Sequence, residues 1–209
     1  MPLIVQIEFP ENTKLAFWQL DESPDELFHD SPLTAADEEE WKTLKHIKRK
    51  REWISSRAAL RSGLNSKEEV LYLPNGKPYM EKQALSFSHC LPIAGALTHP
   101  TFAGFDIQSP DPKIEVIKAK FANPPELEAA EQSSSPLDYL TIIWSAKEAI
   151  FKVYGENLAF ADEINIHPFD VGDRLLTATT TREGKEHDHT LQVMKITSHW
   201  VVIAMRATP

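Results

Sequence analysis

The 209-residue sequence has a single cysteine, Cys90. That excludes an internal disulfide framework and any zinc site built from several thiolates. Long apolar runs are missing too, since no stretch approaches the roughly 18 apolar residues of a membrane span. The opening MPLIVQIEFPENT lacks the charged start and apolar core of a secretory signal. A cytoplasmic protein with no membrane partner is expected. Positive charge is also in short supply: 22 Lys and Arg against 31 Asp and Glu leave a net charge of −9. A general nucleic-acid binder carries the opposite surplus to displace counterions, so nucleic acid is not an expected partner. No internal repeat is visible.

What is there is the composition of a folded soluble protein, 42% hydrophobic and 25% charged. The length allows one good core or two small linked lobes. Charge is uneven along the chain. In KHIKRKR (45–51) five of seven residues are Lys or Arg, Arg57 and Arg61 follow, and DEEE (37–40) comes just before. In an acidic protein so dense a cationic block points to a local phosphate or anion site.

The element pattern begins with alternating strands at 3–9 and 15–20 joined by the PENT turn. Thr34 is a helix N-cap followed by acidic residues, and the pattern stays helical to Leu64 with Gly63 as a stop. Residues 70–80 read as two short extended pieces around Pro-Asn-Gly, and 84–90, 93–99 and 102–108 as successive strands. A helical stretch follows near 113–121. Ser135, Pro136 and Asp138 then start a helix that runs to Tyr154 and stops at Gly155. Strands are expected at 161–167, 174–181, 189–196 and 200–207, with REGKEHD as a turn, which would leave His187-Asp188-His189 exposed rather than binding a metal. Strands around a helix, twice over, predict an α+β chain of two lobes, 1–102 and 103–209. Pockets favour such seams.

Four short segments carry candidate chemistry: NGKP (75–78), SFSHC (86–90), GFDIQ (104–108) and WSAKEAIFK (144–152). They offer a lysine on a tight turn, a Ser-His pair at a strand end, an aspartate on an apolar strand, and a helix with Trp144, Glu148 and Lys152 on successive turns. By itself a Glu followed four residues later by a Lys is an ordinary surface pair, stabilising by about 0.2–0.5 kcal/mol.

In this order and at these separations, the segments resemble the 4′-phosphopantetheinyl transferase superfamily, in its two-lobed single-chain (Sfp-like) branch. That family's pattern of G-K-P, S-x-S-H, G-[IV]-D-[IV]-E and W-[ST]-x-K-E-[AS]-x-x-K is met by Gly76-Lys77-Pro78, Ser86 to His89, Gly104 to Gln108, and Trp144 to Lys152. With the upstream arginine region the likeness covers about residues 45 to 155, and the last motif is the most specific part.

The resemblance implies two similar, pseudo-dimeric lobes, each with an antiparallel sheet and a long helix, and a ligand cleft at their seam. It implies transfer of the phosphopantetheine arm of coenzyme A to a serine of an acyl or peptidyl carrier protein, with Mg²⁺ required and adenosine 3′,5′-bisphosphate released. Asp106 and Glu148 would hold the metal, Glu148 would also help deprotonate the serine, and Lys152 would neutralise the leaving bisphosphate. Lys77, Ser88 and His89 would touch coenzyme A phosphates. Arg57, with a member of the 48–51 block such as Lys48 or Arg49, would clasp the adenosine 3′-phosphate. Trp144 and Cys90 are expected to pack. The family's third metal ligand, a glutamate two residues after the aspartate, is Gln108 here, an oxygen donor without charge. With both lobes in one chain, a monomer is expected.

Overall fold

The computed structural model describes residues 3–155 and 158–206. The chain forms two compact units, Met1–Ala103 and Gly104–Pro209.

In the first unit, β1 (Leu3–Phe9) and β2 (Thr13–Gln19) form an antiparallel hairpin whose turn puts Glu11 and Asn12 in the left-handed region, at φ 58 and 57. Three helices follow: α1 (Pro24–Asp30), α2 (Ala35–Thr43) and α3 (Ile47–Ala58), the last continuing as one π turn over Ala59–Gly63. Then come β3 (Leu71–Tyr72), β4 (Pro78–Tyr79), β5 (Ala84–Cys90) and β6 (Ile93–His99), in an antiparallel sheet of order β1-β2-β6-β5-β4-β3. Residues 15–18 and all of β6 are buried on both faces, as befits the middle of a covered sheet.

Two helical findings differ from the sequence reading here. The helix expected from Thr34 to Leu64 is broken at Leu44 to His46, although no Gly or Pro stands there. Packing explains the break: α2 stacks Trp41 on Phe28, at 4.8 Å between ring centres, while α3 turns Trp53, Ile54 and Ala58 into the core. Helix α1 had not been expected, yet its start has a capping box. Ser23 Oγ accepts the Glu26 N–H, the Glu26 carboxylate accepts the Ser23 N–H, and Pro24 sits at the first helical position.

In the second unit, β7 (Phe105–Gln108) leads to α4 (Pro112–Ile117), α5 (Pro124–Gln132) and α6 (Pro136–Tyr154). A single turn, α7 (Phe160–Glu163), precedes β8 (Ile164–Ile166), β9 (Leu175–Arg182), β10 (Lys185–Ile196) and β11 (His199–Arg206). The sheet order is β7-β11-β10-β9-β8, with every pair antiparallel. Helix α6 buries Leu140, Ile143, Ala146, Ala149 and Ile150 in one core with Leu176, Leu191 and Val202 of the sheet. Gly155, at φ 78, closes it with the left-handed cap that a side chain would strain.

Several expectations shift in this unit. The strand placed at 161–167 is α7 followed by the shorter β8. The segment NPPELEAAEQ is a helix with its own capping box between Asn123 and Glu126. Ser135 makes no side-chain cap. The turn expected over REGKEHD narrows to Glu183 and Gly184, both at positive φ, and strand pairing continues through Asp188. His187 and Asp188 are therefore exposed strand residues, while His189 is buried. The result is a mixed α+β chain with two antiparallel sheets. Among the described residues no helix is long and apolar enough to cross a membrane.

Candidate active site

The second unit's site starts from a glycine. A Cβ on Gly104 would run into the carbonyl oxygen of Ala149 and would come within 2.6 Å of Val153 Cγ2. Only a residue without a side chain lets the chain entering β7 lie this close to α6. Two residues later, that approach delivers Asp106 to the helix. Lys152 Nζ donates to Asp106 Oδ1 at 2.7 Å and to the Phe105 carbonyl at 3.0 Å. Alternation along β7 buries Phe105 and Ile107 in one direction and places Asp106 and Gln108 on the other face.

Glu148 lies one helical turn before Lys152 and is half-buried. Burial pushes its carboxyl above the usual range, the negative charge of Asp106 pushes it further, and Lys152 pulls it back. The two carboxylates thus repel each other across the strand–helix contact. Two carboxylates under mutual repulsion, with an amide oxygen available at residue 108, form an oxygen set that suits a hard divalent cation such as Mg²⁺. Among the described residues no cluster of three or more His, Cys, Asp or Glu could hold a metal.

The same helix is fixed in rotation by a residue to which the sequence reading gave no role. Lys147 is fully buried, and its ammonium donates to Glu126 Oε2 at 2.7 Å and to the carbonyls of Phe160 and Ile164 at 2.8 and 2.7 Å. Glu126 also accepts the N–H groups of Asn123 and Ile166, both at 2.8 Å. Burial pulls the Lys147 amine below its usual value and Glu126 counters it. With Lys147 held inward, Glu148 is turned about 100° round the axis. Trp144 packs edge-on against Phe121, at 5.1 Å, and tilted against Phe160. It takes no part in the charged cluster.

Residues 103–204 match the family model of the 4′-phosphopantetheinyl transferase superfamily. Through this segment the chain belongs to the 4′-phosphopantetheinyl transferase superfamily. No curated protein matches it. The match spans the whole Asp106, Glu148 and Lys152 cluster, and it supports phosphopantetheine transfer in general.

For this phosphopantetheinyl transferase the remaining candidate residues lie in the first unit. Glu52 on α3 draws three nitrogen-bearing side chains together: Lys48, Arg49 and His89 stand 3.8, 3.7 and 3.8 Å from its carboxylate. Glu52 was not singled out in the sequence. It forms i,i+3 and i,i+4 pairs with the basic block, and that spacing was the available signal. Lys50 points elsewhere, over the Trp41 ring at 4.4 Å and toward Asp25. Lys77 is half-buried, burial lowers its amine, and its N–H donates to Asn75 Oδ1 across the tight turn. Ser88 is buried on β5 and its neighbour His89 is half-buried, as is Cys90.

Arg57 is engaged by protein partners within the first unit. Its side chain is 2% exposed, with Nε on Asp37 Oδ1 at 2.8 Å and Nη2 on Glu40 Oε2 at 2.7 Å and the Tyr72 hydroxyl at 2.8 Å. The guanidinium lies between the rings of Trp53 and Phe87. Arg61 takes the other Asp37 oxygen at 2.7 Å. Burial alone would raise the Asp37 carboxyl, but Arg61, Thr34 and Arg57 hold it below its usual value. Arg57 therefore ties α3 to α2 through Nε and Nη2. The sequence could not separate such a tie from a phosphate clasp, because both need an arginine on a helix next to a run of charge.

Proposed function

We propose that the protein, as a two-lobed single-chain member of its superfamily, transfers the 4′-phosphopantetheine group of coenzyme A to a serine hydroxyl of an acyl or peptidyl carrier protein. Adenosine 3′,5′-bisphosphate leaves and the reaction requires Mg²⁺. The observation that carries this reading is the clustering of Asp106, Glu148 and Lys152 where β7 meets α6. The serine oxygen forms a new bond to phosphorus as the bond to the bisphosphate oxygen breaks. The serine proton passes to Glu148, whose burial and proximity to Asp106 make it a better base than a solvated carboxylate. Asp106, Glu148 and Gln108 would hold the metal, which when bound neutralises pyrophosphate charge. Lys152 holds Asp106 in place and offers its positive charge to the leaving bisphosphate. In the first unit, Lys48, Arg49, Lys77, Ser88 and His89 supply the coenzyme A contacts, and the protein works as a monomer.

The test is mass spectrometry of apo-carrier proteins after incubation with coenzyme A, Mg²⁺ and the protein. The expected gain is one phosphopantetheine per carrier. Glu148→Gln is expected to lower turnover by about 10² or more while coenzyme A still binds. Near wild-type modification by that variant removes the mechanism. Gln108 favours a second reading, a catalytically weak relative that binds coenzyme A and carrier, because it leaves the metal one charge short. Binding without any mass gain on any carrier supports that alternative.

A further inference from the structure

We propose that the first unit carries a separate site for a small polyanion, a metabolite whose compact oxyanion groups are carboxylates or phosphates. The site is a hollow of about 490 Å³ bounded by the β1–β2 turn, the segment after the π turn, the β4–β5 turn and the end of β6. That volume is in the range of small-molecule pockets. Lys14, Lys67 and Lys82 line it, against one carboxylate, Glu68. Lys14 also pairs with Glu8 at 3.6 Å, so Lys67 and Lys82 carry the local excess of positive charge, in a chain whose net charge is −9.

The uncharged part of the lining is arranged for the same ligand. Asn12 and Asn65 stand at separate turns, both in the left-handed region at φ 57 and 52, and both line the wall. Glu68 is held at the β4–β5 turn, where its carboxylate accepts the Lys82 N–H at 3.3 Å. The carbonyls of Ser66 and Glu68 are drawn inward by Arg61 Nη1, at 3.1 and 2.6 Å. Because a trans peptide points its N–H opposite to its carbonyl, the Lys67 and Glu69 N–H groups face away from that guanidinium. Arg61 is itself fully buried, and its Nη2 has no hydrogen-bond partner among the described residues. The wall segment 66–68 thus rests on a buried cation that has taken up its carbonyl acceptors and kept a donor unspent.

None of these residues belongs to the proposed transfer machinery. Gln83 precedes the start of β5, whereas His89 lies near its other end, about 20 Å away at the rise of an extended strand.

The test is a titration of the ¹⁵N-labelled full-length chain with sodium pyrophosphate and with sodium citrate, against sodium chloride at matched ionic strength. Saturable shifts are expected at the amides of Asn65 to Glu68 and of Lys82 and Gln83. The double variant Lys67→Gln/Lys82→Gln should weaken that response by about tenfold or more, while Lys67→Arg/Lys82→Arg should keep most of it. Both pairs are exposed, so a matching circular dichroism spectrum will confirm folding. A response to pyrophosphate alone assigns phosphate, to citrate alone carboxylates, and to both the shared oxyanion chemistry. No saturable response at these amides, or one the Gln pair leaves unchanged, overturns the proposal. Shifts confined to Lys77 and His89 also overturn it.

Discussion

His189 makes stability depend on pH in a way that can be worked out from its surroundings. It sits on β10, 7% exposed, and its Nε2 is shared between the hydroxyls of Tyr154 at 3.1 Å and Thr180 at 3.0 Å. Those hydroxyls are 3.2 Å apart, so the imidazole completes a closed triangle of polar groups in the core. Burial pulls the ring down from 6.5 to about 4, the charge of His187 assists and Asp188 opposes. The folded state therefore refuses a proton that the unfolded chain accepts below pH 6.5. Stability is full above that value and is lost as pH falls toward 4. The gap between 6.5 and about 4, at about 1.4 kcal/mol for each pH unit, makes the loss about 3 kcal/mol, an order-of-magnitude figure. Urea unfolding of the wild type and of His189→Gln, followed from pH 7 to pH 4.5, isolates this contribution because the other titrating groups are common to both. The wild type is expected to be the more stable at pH 7, where its packing and hydrogen bonds are intact, and most of that advantage should disappear by pH 4.5. A stability difference that stays constant over the range refutes the reasoning.

Gly104→Ala should push β7 off α6, costing about 1–3 kcal/mol and separating Asp106 from Lys152. Thermal melts check the first effect, and a fall in activity at temperatures where the variant is still folded checks the second. Lys147→Met leaves the Glu126 carboxylate buried without its ammonium and should cost about 3–5 kcal/mol. Adding Glu126→Gln is expected to recover a substantial part of the loss in a double-mutant cycle. Gln108→Glu restores a third charged donor, so the Mg²⁺ concentration for half-maximal activity should fall with coenzyme A specificity unchanged. Identical Mg²⁺ titrations would show that residue 108 does not face the metal.

Much of the local structure was legible because its causes are local. The helix from Pro136 to Tyr154 could be read from an N1 proline, a 3.6-residue apolar stripe and a stopping glycine, which act within a few residues of one another. The hairpin strands were legible from alternation, and the family from short motifs. Errors fell where local signals were neutral: nothing in Leu44 to His46 breaks a helix, and Lys185 to Asp188 is polar enough to pass for a turn. Capping boxes at Ser23 and Asn123 were present but not used.

The sequence by itself determined which side chains could do chemistry here: Asp106, Glu148 and Lys152, in spacings that a strand and a helix convert into fixed faces. Only the tertiary structure decided which charges meet. Arg57 and Lys77 look alike as cationic candidates, yet the first pairs with Asp37 and Glu40 while the second lies half-buried at a turn. Lys147 and Lys152 stand on one helix, and packing sends one to Glu126 and the other to Asp106. The reason is the range of the forces. Helical and strand periodicity are set by neighbours a few residues away, whereas burial and charge pairing depend on partners 20 to 46 positions distant along the chain, from Arg57 with Asp37 to Lys152 with Asp106. Those partners come together only once the sheet and helices have packed.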